Sequence, residues 1–182
     1  MMNVVIERVS ETTVQHINQI DAPFKVDSRL KLQINGDSIE FTVETIPEYI
    51  KRYSDEEDGI DDPSEYSGNA DKVAYIAFVD EQLAGQILIR KSWNNYAYIE
   101  NIKIAGDFRN RGIATKLLAC AKAWAKELQL PGIALETQNN NVAACKLYHK
   151  NGFRIGGFDF NLYKGLKQDT KEIALYWYYL FD

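Results

Sequence analysis

Residues 96–160 switch repeatedly between two periods. Tyr96–Ile104 alternates as a strand does, after a turn at Asn94-Asn95. Then Ile113, Leu117, Leu118, Ala121, Trp124, Ala125 and Leu128 recur at helical spacing, with Lys116, Lys122 and Lys126 off that stripe. Pro131-Gly132 ends this helix, and Ile133–Thr137 reads as another strand. One of Asn139–Asn141 caps a second helix that runs to Asn151, with Gly152 just past its end. Strands near Phe153–Leu162 and Ile173–Leu180 follow. Strands separated by helices need crossover connections and therefore pair in parallel. The expected class is α/β: one domain over residues 1–182, with a mixed central sheet and flanking helices.

The first half of the chain is less regular. Val4, Val5, Ile6 and Val9 suggest a strand, and a weak helical pattern runs from Val14 through Ile17 to Ile20, stopped by Ala22-Pro23. Residues 24–45 read as extended around a turn at Asn35-Gly36-Asp37, and Pro47 is expected to open a short helix through Tyr49, Ile50 and Tyr53. The stretch 54–71 has no core-forming period and reads as an inserted loop. Val73–Val79 and Leu83–Trp93 form a hairpin around Asp80-Glu81-Gln82.

Composition narrows the function. Two cysteines, Cys120 and Cys145, and two histidines, His16 and His149, exclude a disulfide framework and a Cys/His zinc cluster, so no metal is expected. The apolar runs 73–79 and 173–181 are too short to cross a bilayer, and Glu7-Arg8 interrupt any signal-peptide core. A cytoplasmic protein without membrane association is expected. The net charge is −5, but seven acids, Asp55, Glu56, Glu57, Asp58, Asp61, Asp62 and Glu65, crowd one segment. The 21 basic and 19 acidic residues outside that segment balance at +2, so the acidity is local. The acidic overall charge and the absence of a basic aromatic face in the sequence argue against nucleic acid as a partner.

The segment Arg109-Asn110-Arg111-Gly112-Ile113-Ala114 stands between a strand and an amphipathic helix. Its small residues leave the backbone N–H groups at the helix start open to approach. With the helix dipole and two arginines, they make an anion site that suits a pyrophosphate. It lacks the GK[ST] of a nucleoside-triphosphate loop and the three glycines of a dinucleotide fingerprint. The bland alternative is an ordinary helix entry with two solvated arginines. A second segment, Asn141-Val142-Ala143-Ala144-Cys145-Lys146-Leu147-Tyr148-His149-Lys150-Asn151-Gly152-Phe153, follows the later strand.

Together these segments resemble the two cofactor motifs of the GNAT-type, acetyl-CoA-dependent N-acetyltransferases, in order and spacing over about residues 73–160. Trp93-Asn94, Ile99-Glu100, Leu135-Glu136-Thr137-Gln138, the acids near 55–62 and the stretch Glu172–Phe181 with Tyr176-Trp177-Tyr178 resemble the streptothricin acetyltransferase branch. The resemblance implies a GNAT-like sheet in which the strands 96–104 and 133–137 splay apart, with acetyl-CoA as co-substrate entering the gap. It implies that pantetheine pairs with Ile102, Lys103 and Ile104. The pyrophosphate would rest on backbone N–H groups of Arg109, Asn110, Arg111, Gly112, Ile113, Ala114 and Thr115, and Asn141 would contact the cofactor. Capping the helix is the other role open to Asn141.

The acceptor implied is a small cationic amine, the β-lysine moiety of streptothricin. An amine of pKa near 10.4 is neutral in only about one molecule in a few thousand at pH 7, worth roughly 4–5 kcal/mol of barrier. A base is therefore useful. Glu100 is the candidate, sharing a strand face with Tyr98 and Ile102, though it could instead pair with a basic residue or only bind substrate. Tyr148 matches the family's general acid for the leaving thiolate; a buried core aromatic is the alternative. Cys145 and His149, four apart, could form a nucleophile pair, though a small buried Cys145 is the commoner outcome. Glu136, Asp159, Asp55, Glu56 and Asp58 are candidates for contact with a cationic substrate. Rival readings are acetylation of a protein N-terminus or lysine, and an acetyl-CoA sensor without catalysis. A homodimer is compatible with all of them.

Overall fold

The structure is a computed structural model of the 182-residue chain and describes residues 3–53 and 62–182. Among the described residues nine strands and two α-helices form. In chain order they are β1 (Val4–Arg8), β2 (Phe24–Asn35), β3 (Ser38–Lys51), β4 (Lys72–Val79), β5 (Gln82–Lys91), β6 (Ala97–Ile104), α1 (Ile113–Glu127), β7 (Gly132–Gln138), α2 (Val142–Lys150), β8 (Arg154–Asp159) and β9 (Ala174–Leu180). The chain divides into two compact units. One comprises residues 1–23 and 52–133, the other residues 24–51 and 134–182.

In the first unit the strands run in the order β1-β4-β5-β6, each antiparallel to its neighbour. The β4–β5 turn is tighter than expected: Val79 pairs with Gln82, leaving only Asp80 and Glu81, both at positive φ, as a two-residue loop whose twist suits the strands. The stripe expected on the long helix is the buried face of α1, where Ile113, Leu117, Leu118, Ala121, Trp124 and Ala125 pack toward β4, β5 and β6. Leu128 lies outside that face, because the helix ends at Glu127. There Leu130 N–H donates to Ala125 O and Gln129 N–H to Lys126 O, a Schellman closure with Gln129 at φ 54°. The helix expected from Val14 to Ile20 is a single 3-10 turn, Val14–His16. Its apolar residues recur every three positions, the period of a 3-10 helix and not of an α-helix.

In the second unit β2 and β3 form a long hairpin closed at Gly36-Asp37, and β7, β9 and β8 lie in that order, β8 antiparallel to β9. The helix expected at Pro47 is absent: residues 47–51 continue β3. Ser28 pairs with Thr45 and Val26 with Tyr49, so Ile46, Pro47 and Glu48 stand opposite Asp27 in a bulge. A proline without an N–H fits there at no cost to the ladder. Asn141 caps α2, its Oδ1 accepting from Ala144 N–H at 3.2 Å. The helix closes with Gly152 N–H donating to His149 O and Phe153 N–H to Tyr148 O, Gly152 taking φ 91°.

Candidate active site

In the first unit the ladder slips at one position of β6. Leu88 pairs with Asn101 and Ile89 with Ile99, so Glu100 is the extra residue of a bulge, the device that re-aims a strand side chain. Its carboxylate is held from two sides. Arg90 Nε donates to Oε1 at 2.7 Å, and the Tyr66 hydroxyl donates to Oε2. Tyr66 is 4 % exposed, and burial followed by the bond to Glu100 drives its phenol well above the ordinary range. The ion-paired alternative for Glu100 is thus the arrangement observed.

The helix-entry motif keeps its glycine for a conformational reason. Gly112 is the N-cap of α1 at φ 79°, supplies no side-chain acceptor, and a Cβ built there would meet nothing within 4 Å. Asn110 also takes a positive φ, 60°. The two arginines differ. Arg109 donates through Nη1 to Pro23 O at 2.8 Å and through Nε to Ile104 O at 3.2 Å, tying the loop to β6. Arg111 lies with its guanidinium 5.6 Å from the Phe108 ring centroid. Ile102, Lys103 and Ile104 pair with Ile87, Gln86 and Gly85 of β5. Ile113, Ala114 and Thr115 form the first turn of α1.

In the second unit Tyr148 is 4 % exposed on α2, its ring 6.0 Å from those of Phe153 and Trp177. The Cys145–His149 pairing does not form. Cys145 is fully buried with Sγ directed at Gln138 O, 3.7 Å away, and burial pushes its thiol up to about 12. The His149 ring instead stands edge-on to Phe41, 5.4 Å between centroids. Glu136 on β7 accepts from the Tyr163 hydroxyl; burial lifts its carboxyl above the ordinary value, against the pull of that bond. Asp159 Oδ1 accepts from the N–H groups of Asn161 and Leu162, at 2.6 and 3.2 Å, ordering the turn that carries Tyr163. Asp55, Glu56 and Asp58 lie outside the described residues.

Sequence reasoning missed both tyrosines that grip these carboxylates. Tyr66 follows Asp62-Pro63-Ser64-Glu65, where Asp62 Oδ1 accepts from Ser64 N–H and proline opens the turn. That is a helix-start signal which the reading of 54–71 as a loop passed over. Tyr163 sits on a 3-10 turn, Leu162–Gly165, which leaves almost no periodic trace. No group of three or more His, Cys, Asp or Glu arranged for a metal occurs among the described residues. No helix among them is long and apolar enough to cross a membrane.

A glycine-opened helix entry thus follows a bulged strand in the first unit, and a capped helix bears a tyrosine in the second; the class of protein comes from comparison with known ones. The sequence profile of the acetyltransferase (GNAT) family matches residues 40–153, and the chain belongs to this family: it is an acetyl-CoA-dependent N-acetyltransferase with an α/β GNAT fold. More particularly, it is 36 % identical to the streptothricin acetyltransferase of Escherichia coli, over 98 % of this chain and 94 % of that one. It is 34 % identical to streptothricin acetyltransferase A of Bacillus subtilis (strain 168), over 97 % and 100 %. A crystal structure from Bacillus anthracis str. Ames, of a protein proposed to be a streptothricin acetyltransferase and in complex with acetyl coenzyme A, superposes with a TM-score of 0.90. It is 44 % identical and covers 98 % of this chain and 100 % of that one.

Proposed function

We propose that this enzyme transfers the acetyl group of acetyl-CoA to a primary amine of streptothricin, in the β-lysine moiety, and so inactivates the antibiotic in the cytoplasm. The observation that carries this reading is similarity over nearly the whole chain to proteins named for that activity. In it, all 182 residues act as one catalytic domain. The amine attacks the thioester directly, with both substrates bound.

The roles follow from the residues. The first turn of α1 and the loop before it, Arg109 to Thr115, offer backbone N–H groups and the positive helix end to the pyrophosphate, and Ile102 to Ile104 offer backbone to the pantetheine. Asn141 both caps α2 and contacts the cofactor. Glu100, anchored by Arg90 and Tyr66, takes a proton from the amine through a water. Tyr148 gives its phenolic proton to the departing CoA sulfur. Glu136 and Asp159 supply negative charge for the cationic acceptor, and Asp55, Glu56 and Asp58 draw it in from solution.

The test is direct. Purified protein incubated with acetyl-CoA and streptothricin is expected to release free thiol in step with singly acetylated drug by mass spectrometry. Absence of drug turnover would overturn the substrate. Faster turnover of peptides with a free N-terminus or lysine would reassign the acceptor to a protein.

A further inference from the structure

Three consecutive asparagines join β7 to α2, and capping occupies only the last of them, Asn141. The other two are buried, Asn139 at 2 % exposure and Asn140 at 5 %. Asn139 makes two closed pairs of hydrogen bonds. On one side its N–H donates to Ile173 O at 2.9 Å, while its Oδ1 accepts from Ile173 N–H at 3.0 Å. On the other its carbonyl accepts from Leu30 N–H at 2.8 Å, while its Nδ2 donates to Leu30 O at 3.2 Å. The side-chain amide thus serves as a second peptide group, and one residue pairs with two chain segments as the middle strand of a sheet would. Asn140 repeats the reach: its Nδ2 donates to Tyr49 Oη at 2.8 Å and to Glu172 Oε1 at 2.9 Å. Within the second unit, the junction is therefore tied to both strands of the β2–β3 ribbon and to the residues just before β9.

What the junction carries gives these ties a consequence. α2 has nine residues, too few to be held by its own backbone bonds, so its direction depends on what its ends and buried face are tied to. Asn141 N–H donates to Gln138 O, and Cys145 N–H donates to Asn141 O as the helix opens. Tyr148 lies seven residues beyond Asn141, about 10 Å along the axis at about 1.5 Å per residue. A swing of about 6° at the junction moves it by about 1 Å, and an error of that size at a reacting group costs up to about 100-fold in rate.

We propose that Asn139 and Asn140 are positioning residues for the acetyl transfer: by locking the ribbon to the β7–α2 junction, they fix the aim of Tyr148 at the leaving sulfur. This rests on the reading of Tyr148 as the acid and adds what holds it in place. The ribbon, residues 24–51, thereby acts on catalysis through the junction.

Asn139→Asp and Tyr49→Phe test this. The first keeps the size and the acceptor toward Ile173 but sets an anionic oxygen against Leu30 O. The second removes only the hydroxyl that meets Asn140, on a residue 43 % exposed, and serves alone if the first does not fold. Initial rates are measured with acetyl-CoA and three acceptors: streptothricin, lysinamide and a peptide with a free N-terminus. Asn139→Asp is expected to lower kcat about 10- to 100-fold and Tyr49→Phe about 3- to 10-fold. Each factor should be the same for every acceptor turned over, because the leaving thiolate is common to all. In a Tyr148→Phe background both losses should shrink to less than about twofold, since the group being aimed is already gone; a merely structural role predicts that the losses multiply. Losses that multiply overturn the proposal, and so does a wild type that turns over none of the acceptors. Unchanged kcat in either folded variant overturns the role of the asparagine it tests. Undiminished turnover in Tyr148→Phe itself removes the acid role and the proposal together. Turnover of lysinamide or peptide but not streptothricin, with losses that do not multiply, upholds the positioning role while removing streptothricin as the acceptor.

Discussion

At the scale of single residues, Tyr148 separates packing from chemistry. Its ring is wedged against Phe153 and Trp177, so Tyr148→Phe keeps those contacts and removes only the hydroxyl. If that hydroxyl protonates the leaving thiolate, kcat falls by about 100-fold, while acetyl-CoA affinity and Tm scarcely move. Unchanged turnover would return Tyr148 to the core alone. Tyr148, Glu100 and Asn141 stand out in the sequence as candidates because they sit within contiguous motifs. The partners of Glu100 and Glu136 do not. Tyr66 and Arg90 reach Glu100 from different turns and strands, Tyr163 reaches Glu136 across a gap of 27 residues, and Lys51 meets Glu172 across 121. Such pairings are made by tertiary folding, and no local period encodes them. The Cys145–His149 spacing misled for a related reason. A four-residue separation allows contact on a helix but does not require it, and the two side chains turn to Gln138 and to Phe41.

At the scale of elements, both α-helices end in the same closure but with different residues at the left-handed position. Gly152 adopts it freely; Gln129, at φ 54°, carries a Cβ there. Gln129→Gly is therefore expected to stabilise the fold by about 1 kcal/mol, read as a higher denaturation midpoint in urea with an unchanged slope. A lower midpoint would mean that the glutamine side chain contributes more than its backbone conformation costs. Long periodic elements such as α1 and the β4–β5 hairpin were readable to within a few residues, since burial of one face dictates their pattern. Pro47 was misread because proline at a helix start and proline in a β-bulge look alike locally. The choice was made by the partner strand, in which Phe24, Lys25 and Val26 pair with Lys51, Ile50 and Tyr49.

At the scale of the whole molecule, cofactor binding should appear as stability. A ligand held only by the folded chain, at 100 times its Kd, adds about 2.7 kcal/mol, or roughly 5–10 °C in Tm for a protein of this size. Thermal melts with increasing acetyl-CoA are expected to show that rise, and a flat response would contradict the cradle at α1. The order of the chain carries a further consequence. Residues 24–51 belong with residues 134–182, yet they lie in the sequence between two parts of the other unit. A ribosome therefore delivers the β2–β3 ribbon long before the strands and helix that complete its unit. Until translation passes residue 139, Val26 and Leu30, both buried in the finished fold, and the Leu30 backbone, which pairs with Asn139, have only water or a chaperone for company.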